Sequence, residues 1–235
     1  MAEPPDPELP AHRLRTCLKP YNAEAPMAYL TTVSGRLLPV DPTYAALAAR
    51  DPAQAETMCP VCGGRFPFRI RRWTLERMIR GWHFDKIRDA GFHFCETPTC
   101  PIVYFHNGEG FYFALEDLQV PVGIKRLEAP IPVCYCKGVD EQTILYEIVV
   151  KRCCDSIKDI QAYTKARTGT ECHIRNPSGR CCGDHVQAVL RKGLAMIVDL
   201  PPVLRAEAEE AAAAIPTDDS CCAVGSQDLS SHLER

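Results

Sequence analysis

With 235 residues, 46% apolar content and a formal charge of -3, the chain can bury a core in one large or two small domains and shows no basic bias toward nucleic acid. Its opening, Met-Ala-Glu-Pro-Pro-Asp-Pro-Glu, is acidic and proline-rich where an export signal needs a basic then apolar start, and no apolar run approaches the roughly 20 residues of a membrane span. Fourteen cysteines in such a chain point to metal or redox chemistry in a cytoplasmic protein, because reducing compartments do not sustain disulfide frameworks.

Residues 1–54 are rich in Pro and Ala and lack sustained periodicity apart from a short helix at 44–50, so this segment is expected to be flexible. From Cys59 to Val122 two cysteine pairs flank a helical or aromatic stretch at Trp73-Thr-Leu-Glu-Arg-Met-Ile. Short strand-like runs follow at Phe92-His-Phe, Ile102-Val-Tyr-Phe and Phe111-Tyr-Phe, with His106-Asn-Gly-Glu-Gly110 supplying a hairpin turn. A proline-bearing connector, Glu128-Ala-Pro-Ile-Pro132, leads into a second unit. There Asp140 is placed to cap Glu-Gln-Thr-Ile-Leu-Tyr-Glu-Ile-Val-Val, whose Ile144, Leu145, Ile148 and Val149 recur at helical spacing. Ser156 with Asp159 forms a capping box ahead of Ile-Lys-Asp-Ile-Gln-Ala-Tyr. A further helix reads from Gly183 to Leu190, and residues 195–235 hold an Ala- and Glu-rich helical run and a polar tail with Cys221-Cys222.

Two cysteine constellations carry chemistry. Cys59-Pro-Val-Cys62-Gly-Gly presents two thiolates from one knuckle, and Cys95-Glu-Thr-Pro-Thr-Cys100 can close a tetrahedron around zinc. With every position filled by thiolate the ion has no place for water, so the role is architectural. His93 and His106 lie close enough in sequence to substitute as ligands, but four sulfurs suffice. The second constellation is Cys134-Tyr-Cys136, answered by Cys172 and Cys181-Cys182 around Ile174-Arg-Asn-Pro-Ser-Gly-Arg180. A Cys-x-Cys loop can place two thiolates on one iron, and two from a distant loop can complete the other iron of a [2Fe-2S] cluster. His173 and His185 stand beside these cysteines as ligands of the Rieske alternative, and Arg175 and Arg180 are placed either to tune a cluster or to face water.

Phe94-Cys-Glu-Thr-Pro-Thr-Cys-Pro-Ile-Val-Tyr-Phe105, Val122-Gly-Ile-Lys125, Pro132-Val-Cys-Tyr-Cys136 and Asn176-Pro-Ser-Gly-Arg-Cys-Cys182 resemble the N-terminal half of CopZ-type copper chaperones. The resemblance implies an α+β chain. A small zinc-ribbon-like zinc-binding domain at 55–127 precedes a helical [2Fe-2S] domain at 130–194 similar to bacterioferritin-associated ferredoxin, and both termini are flexible. It implies zinc on Cys59, Cys62, Cys95 and Cys100, and a cluster on Cys134, Cys136, Cys172 and one of Cys181 and Cys182. Bacterioferritin-associated ferredoxins place their last ligand at a helix start, whose partial positive charge favours thiolate, and Cys182 fits that start better than Cys181.

The heavy-metal-associated copper loop that ends such chaperones has no counterpart after Gly193. Cys221-Cys222 is the remaining soft-metal candidate, for Cu+ among others, beside the plain reading of two tail thiols. Cys153-Cys154 reads as packed or partly exposed thiol, and the basic run from Arg69 to Trp73 as a solvated face or partner contact. The expected function is therefore that of a metallochaperone-like protein of copper or other soft-metal homeostasis, whose partners are metal ions and a redox or metal-acceptor protein. The alternative is one-electron transfer with no metal cargo. No enzyme is expected, since no nucleophile and base pair, phosphate loop or open metal site stands out.

Overall fold

The computed structural model describes residues 28–89 and 91–198. Residues 28–55, where only a short helix at 44–50 is expected, form a hairpin of β1 (Tyr29–Thr31) and β2 (Leu37–Pro39) followed by helices α1 (Pro42–Arg50) and α2 (Pro52–Ala55). The strands are three residues long and bury one side chain each, Leu30 and Leu38, too weak a pattern to read from sequence. The Asp41 carboxylate starts α1 by accepting from the amides of Thr43 and Tyr44, with a proline at the first helical position.

Helix α3 (Arg72–Met78) packs on an antiparallel sheet of β3 (His93–Phe94), β4 (Ile102–His106) and β5 (Phe111–Ala114). Strand β4 is buried on both faces. A register shift between Ile102 and Tyr104 breaks the alternation, so Val103 and Tyr104 both enter the α3 core while Ile102 and Phe105 face the cysteines Cys59, Cys95 and Cys100. The hairpin expected at 106–110 is present, and its Asn107 amide reaches the carbonyls of Ala55, Glu56 and Met58, fixing the approach to Cys59.

The second core gathers around β6 (Pro132–Cys134), β7 (Val139–Asp140), α4 (Glu141–Leu145), α5 (Ile157–Thr164) and α7 (Gly183–Val198). Asp140 accepts from Thr143 N at 2.7 Å, and Ser156 with Asp159 closes the capping box. The helix that begins at Glu141 widens into a π turn at Tyr146–Val150. Gly193 of α7 lies so close to that turn that a Cβ there would meet Ile148 Cγ2 at 2.9 Å. A four-residue helix, α6 (Cys172–Arg175), packs on α3. No helix among the described residues is long and apolar enough to cross a membrane.

The two units meet at Gly123, whose α-carbon faces the Pro132 carbonyl so closely that an added methyl would overlap the oxygen. Gly123→Ala is expected to cost about 2 kcal/mol, as overpacking against rigid backbone does, and to lower the thermal midpoint in a dichroism melt. An unchanged midpoint would mean that the two units separate there without loss.

Candidate metal centres

The knuckle at Cys59–Cys62 is closed by backbone bonds from Gly63 N to Cys59 O (2.9 Å) and from Cys59 N to Gly64 O (2.8 Å). Gly63 adopts φ +67°, and a Cβ there would also strike the Asp41 carboxylate at 2.9 Å, so the turn and the α1 cap both require glycine. Across from it Cys95 is held by Cys95 N donating to Val103 O, and Cys100 by Cys100 N donating to Thr97 O.

The four sulfurs all lie within 4.8 Å of one another, with Cys59 to Cys100 at 3.8 Å and Cys62 to Cys95 at 3.7 Å. Bonds of about 2.3 Å directed to the corners of a tetrahedron give sulfur separations of about 3.8 Å, so the group fits a single zinc-sized ion. Hydrogen bonding from Cys100, Cys59 and Cys95 draws the Cys62 thiol down, while its bond with Cys100 pushes Cys59 up. The sulfurs thus share protons that a cation would displace. Thr97 Oγ1 stands 3.3 Å from Cys62 Sγ. Neither His93 nor His106 joins the group. His93 is buried and stacked on Phe105, and His106 packs edge-on against Phe92 and accepts from Glu109 N.

The second constellation is looser. Among the described residues only the first group has three or more ligand atoms mutually within 4.8 Å, so the later cysteines do not converge on one ion. They form two pairs, Cys136 with Cys172 at 3.4 Å and Cys134 beside Cys182. Each pair takes one member from each loop, where the spacing suggested partners within a loop. That donor set of two sulfur pairs fits a group of two irons better than a single ion.

Cys134 lies at the end of β6 and accepts from Arg167 N at 3.4 Å. Its bond with Cys182, then the amides of Arg167, Lys137 and Cys136, outweigh burial and hold its thiol down to about 6. Burial pushes Cys172 up to about 12, and the bond with Cys134 raises Cys182. Gly169 leaves room for Cys136, since a Cβ there would meet the Cys136 Cβ at 2.6 Å. Cys182 is buried immediately before α7, while Cys181 is exposed.

The His173 ring packs on Trp73 and its carbonyl accepts from Thr74 Oγ1, and burial pushes His185 down. Arg175 pairs with Glu171, and Arg180 pairs with Glu96 and lies over Phe68. Cys153 and Cys154 stand 4.0 Å apart, Cys153 donating to Glu147 Oε2 at 3.1 Å and Cys154 buried. Cys221 and Cys222 lie outside the described residues.

Sequence reasoning missed Arg167, Gly169, Tyr135 and Lys125. Tyr135 sits inside the Cys-x-Cys loop, where its hydroxyl accepts from Gly123 N at 2.7 Å and donates to Pro121 O at 3.0 Å. Lys125 is buried and donates to Thr97 O at 2.7 Å and Cys100 O at 3.0 Å. Tyr135 and Lys125 stand in segments that carry the family resemblance and Gly169 is a turn residue, but nothing local gave them a role.

Residues 56–119 match the family model described as a zinc binding domain of the CopZ type. The curated copper chaperone CopZ of Archaeoglobus fulgidus is 35% identical over 129 residues, covering 55% of this chain and 59% of the relative, so the chain spans about three fifths of that protein's length. The X-ray structure of the Archaeoglobus fulgidus CopZ N-terminal domain superposes with a TM-score of 0.50 at 34% identity, over 56% of this chain and 96% of that one. The likeness therefore reaches past the zinc-binding segment.

Proposed function

We propose that this chain is a non-enzymatic metal-handling protein of the metallochaperone kind, with structural zinc on Cys59, Cys62, Cys95 and Cys100 and a [2Fe-2S] cluster on Cys134, Cys136, Cys172 and Cys182. The observation that carries the reading is the contrast between a compact group of four sulfurs and a second set spread into two pairs, within one stretch similar to the CopZ N-terminal domain.

A bound [2Fe-2S] cluster supplies one-electron chemistry. The chain's own contribution is to hold the thiolates and set their surroundings. Arg167 N and the neighbouring amides direct partial positive charge at Cys134, and the Cys182 amide just before α7 does the same at Cys172. The four sulfurs of the zinc group leave no open position, which assigns that ion to folding. Cargo, Cu+ or another soft ion, falls to Cys221 and Cys222.

One observation favours the second reading, electron transfer without cargo. Of the described cysteines outside the two sets, Cys154 is buried, Cys153 bonds to Glu147, and Cys181 is the exposed one, so no exposed thiol pair stands ready there.

The test is metal and sulfide analysis with a visible spectrum on anaerobically purified protein, repeated on Cys134→Ser/Cys136→Ser. The expected result is about two irons, two sulfides and one zinc per chain, with the colour lost in the variant. A protein that stays colourless through reconstitution would refute the cluster. Cu+ titration of the intact protein against Cys221→Ser/Cys222→Ser separates the two readings: loss of tight binding in the variant supports cargo, and no tight binding in either supports electron transfer alone.

A further inference from the structure

Residues 121–125 run between the two cysteine sites and touch both. At one end the Lys125 ammonium, 8% exposed as a residue, donates to the carbonyls of Thr97 and Cys100, inside the loop that carries Cys95 and Cys100. The other end holds Tyr135, between Cys134 and Cys136, with Gly123 N and Pro121 O on its hydroxyl and Pro132 O seated against Gly123. The 3₁₀ turn Gly123–Lys125 joins these contacts without slack, closing on itself through Lys125 N to Val122 O and Arg126 N to Gly123 O.

We propose that Lys125 and Tyr135 are positioning residues that couple the two sites, so that zinc on Cys95 and Cys100 holds the Cys134–Cys136 loop in shape for its cluster. The inference rests on the cluster reading above. Loss of zinc frees the 95–100 loop, and its carbonyls turn away from Lys125. A buried ammonium without acceptors is costly, so the turn must move to reach water, and Tyr135 moves with it. The second cluster loop is tied to the same region, through Tyr104 Oη donating to Pro177 O at 2.7 Å and through the Arg180 pair with Glu96, the neighbour of Cys95.

The experiment measures the rate of cluster release to an iron chelator and the reduction potential, with zinc bound and with zinc removed, in wild type, Tyr135→Phe and Lys125→Met. Removing zinc from wild type should speed release by at least about fivefold and shift the potential, since the hydrogen bonds that run through Lys125 and Tyr135 are lost along with the packing of the first unit. Tyr135→Phe with zinc still bound should release its cluster about fivefold faster than zinc-bound wild type, and zinc removal should add less to its rate than to the wild-type rate, the signature of a shared coupling path. Lys125→Met should do the same if it retains zinc. Should that variant lose zinc, Tyr135→Phe decides alone. A wild-type cluster indifferent to zinc, or a Tyr135→Phe protein with full zinc dependence, would overturn the proposal.

A chain that takes up no cluster would sink the underlying reading instead, and hydrogen exchange of the 134–137 amides in cluster-free protein then carries the test. Faster exchange on zinc removal in wild type, and already without removal in Tyr135→Phe, supports the coupling. Equal exchange with and without zinc in wild type refutes it.

Discussion

Cys59→Ser is expected to release zinc and to unfold the first unit, with loss of near-ultraviolet dichroism from the packed rings of Phe92, Phe94, Tyr104 and Phe113. Cys59 is fully buried beside Leu30, Leu38, Ile102 and Phe105, so its sulfur is both a proposed ligand and a core atom. Structural zinc with thiolate ligands contributes about 10–16 kcal/mol of apparent binding free energy at neutral pH, against a whole-domain stability of about 5–15 kcal/mol. No rearrangement of this small core offsets such a loss. A strong chelator should produce the same state in wild type, more readily as pH falls, because protons compete with the metal for thiolate. The helices α4, α5 and α7 keep their own core of Ile144, Ile148, Ile160, Val186 and Leu190, so far-ultraviolet helicity should largely survive. Retention of a cooperative aromatic signal in zinc-free Cys59→Ser would show that the first unit stands without its metal.

The features that sequence made legible are those whose cause is local. The caps at Asp140 and Ser156, the 106–110 hairpin and the α7 start each follow from residues within one turn of the chain. Both sets of cysteines could be gathered from spacing, because metal ligation needs tight loops that leave a signature. What escaped depends on distant partners. The β1–β2 hairpin is fixed by two leucines settling against Cys59, Cys95 and Cys100. Lys125 is a residue type that belongs at the surface, and only two carbonyls from a loop some two dozen positions earlier make its burial tolerable. Pairing of Cys134 with Cys182 and of Cys136 with Cys172 depends on how α4, α5 and α7 bring the two loops together. The π turn at 146–150, pressed by Gly193 of α7, is likewise a tertiary outcome.

That cross-loop pairing favours Cys182 over Cys181 as the proposed fourth ligand. Cys182→Ala is expected to abolish or nearly abolish a [2Fe-2S] spectrum, whereas Cys181→Ala should keep the wild-type iron content and absorption. The two thiols differ in placement rather than chemistry. Cys182 is 2% exposed, beside Cys134, and immediately before the first residue of α7. Cys181 faces solvent one residue earlier. Reaching the Cys134 side with Cys181 would require the chain to turn over between Arg180 and Gly183. Arg180 is held by Glu96, and Val186 N already bonds to Cys182 O in the first turn of α7. Losing one of four ligands at a buried site also leaves Cys134 beside a small void with no sulfur to share its proton. Iron and sulfide analysis of both variants, with electron paramagnetic resonance of the reduced state, reads the outcome directly. Full iron in Cys182→Ala together with loss in Cys181→Ala would reassign the ligand to the exposed thiol and would mean that the 180–183 turn rearranges around the cluster. Loss in both would make the pair act together, with Cys181 supporting the site from its rim.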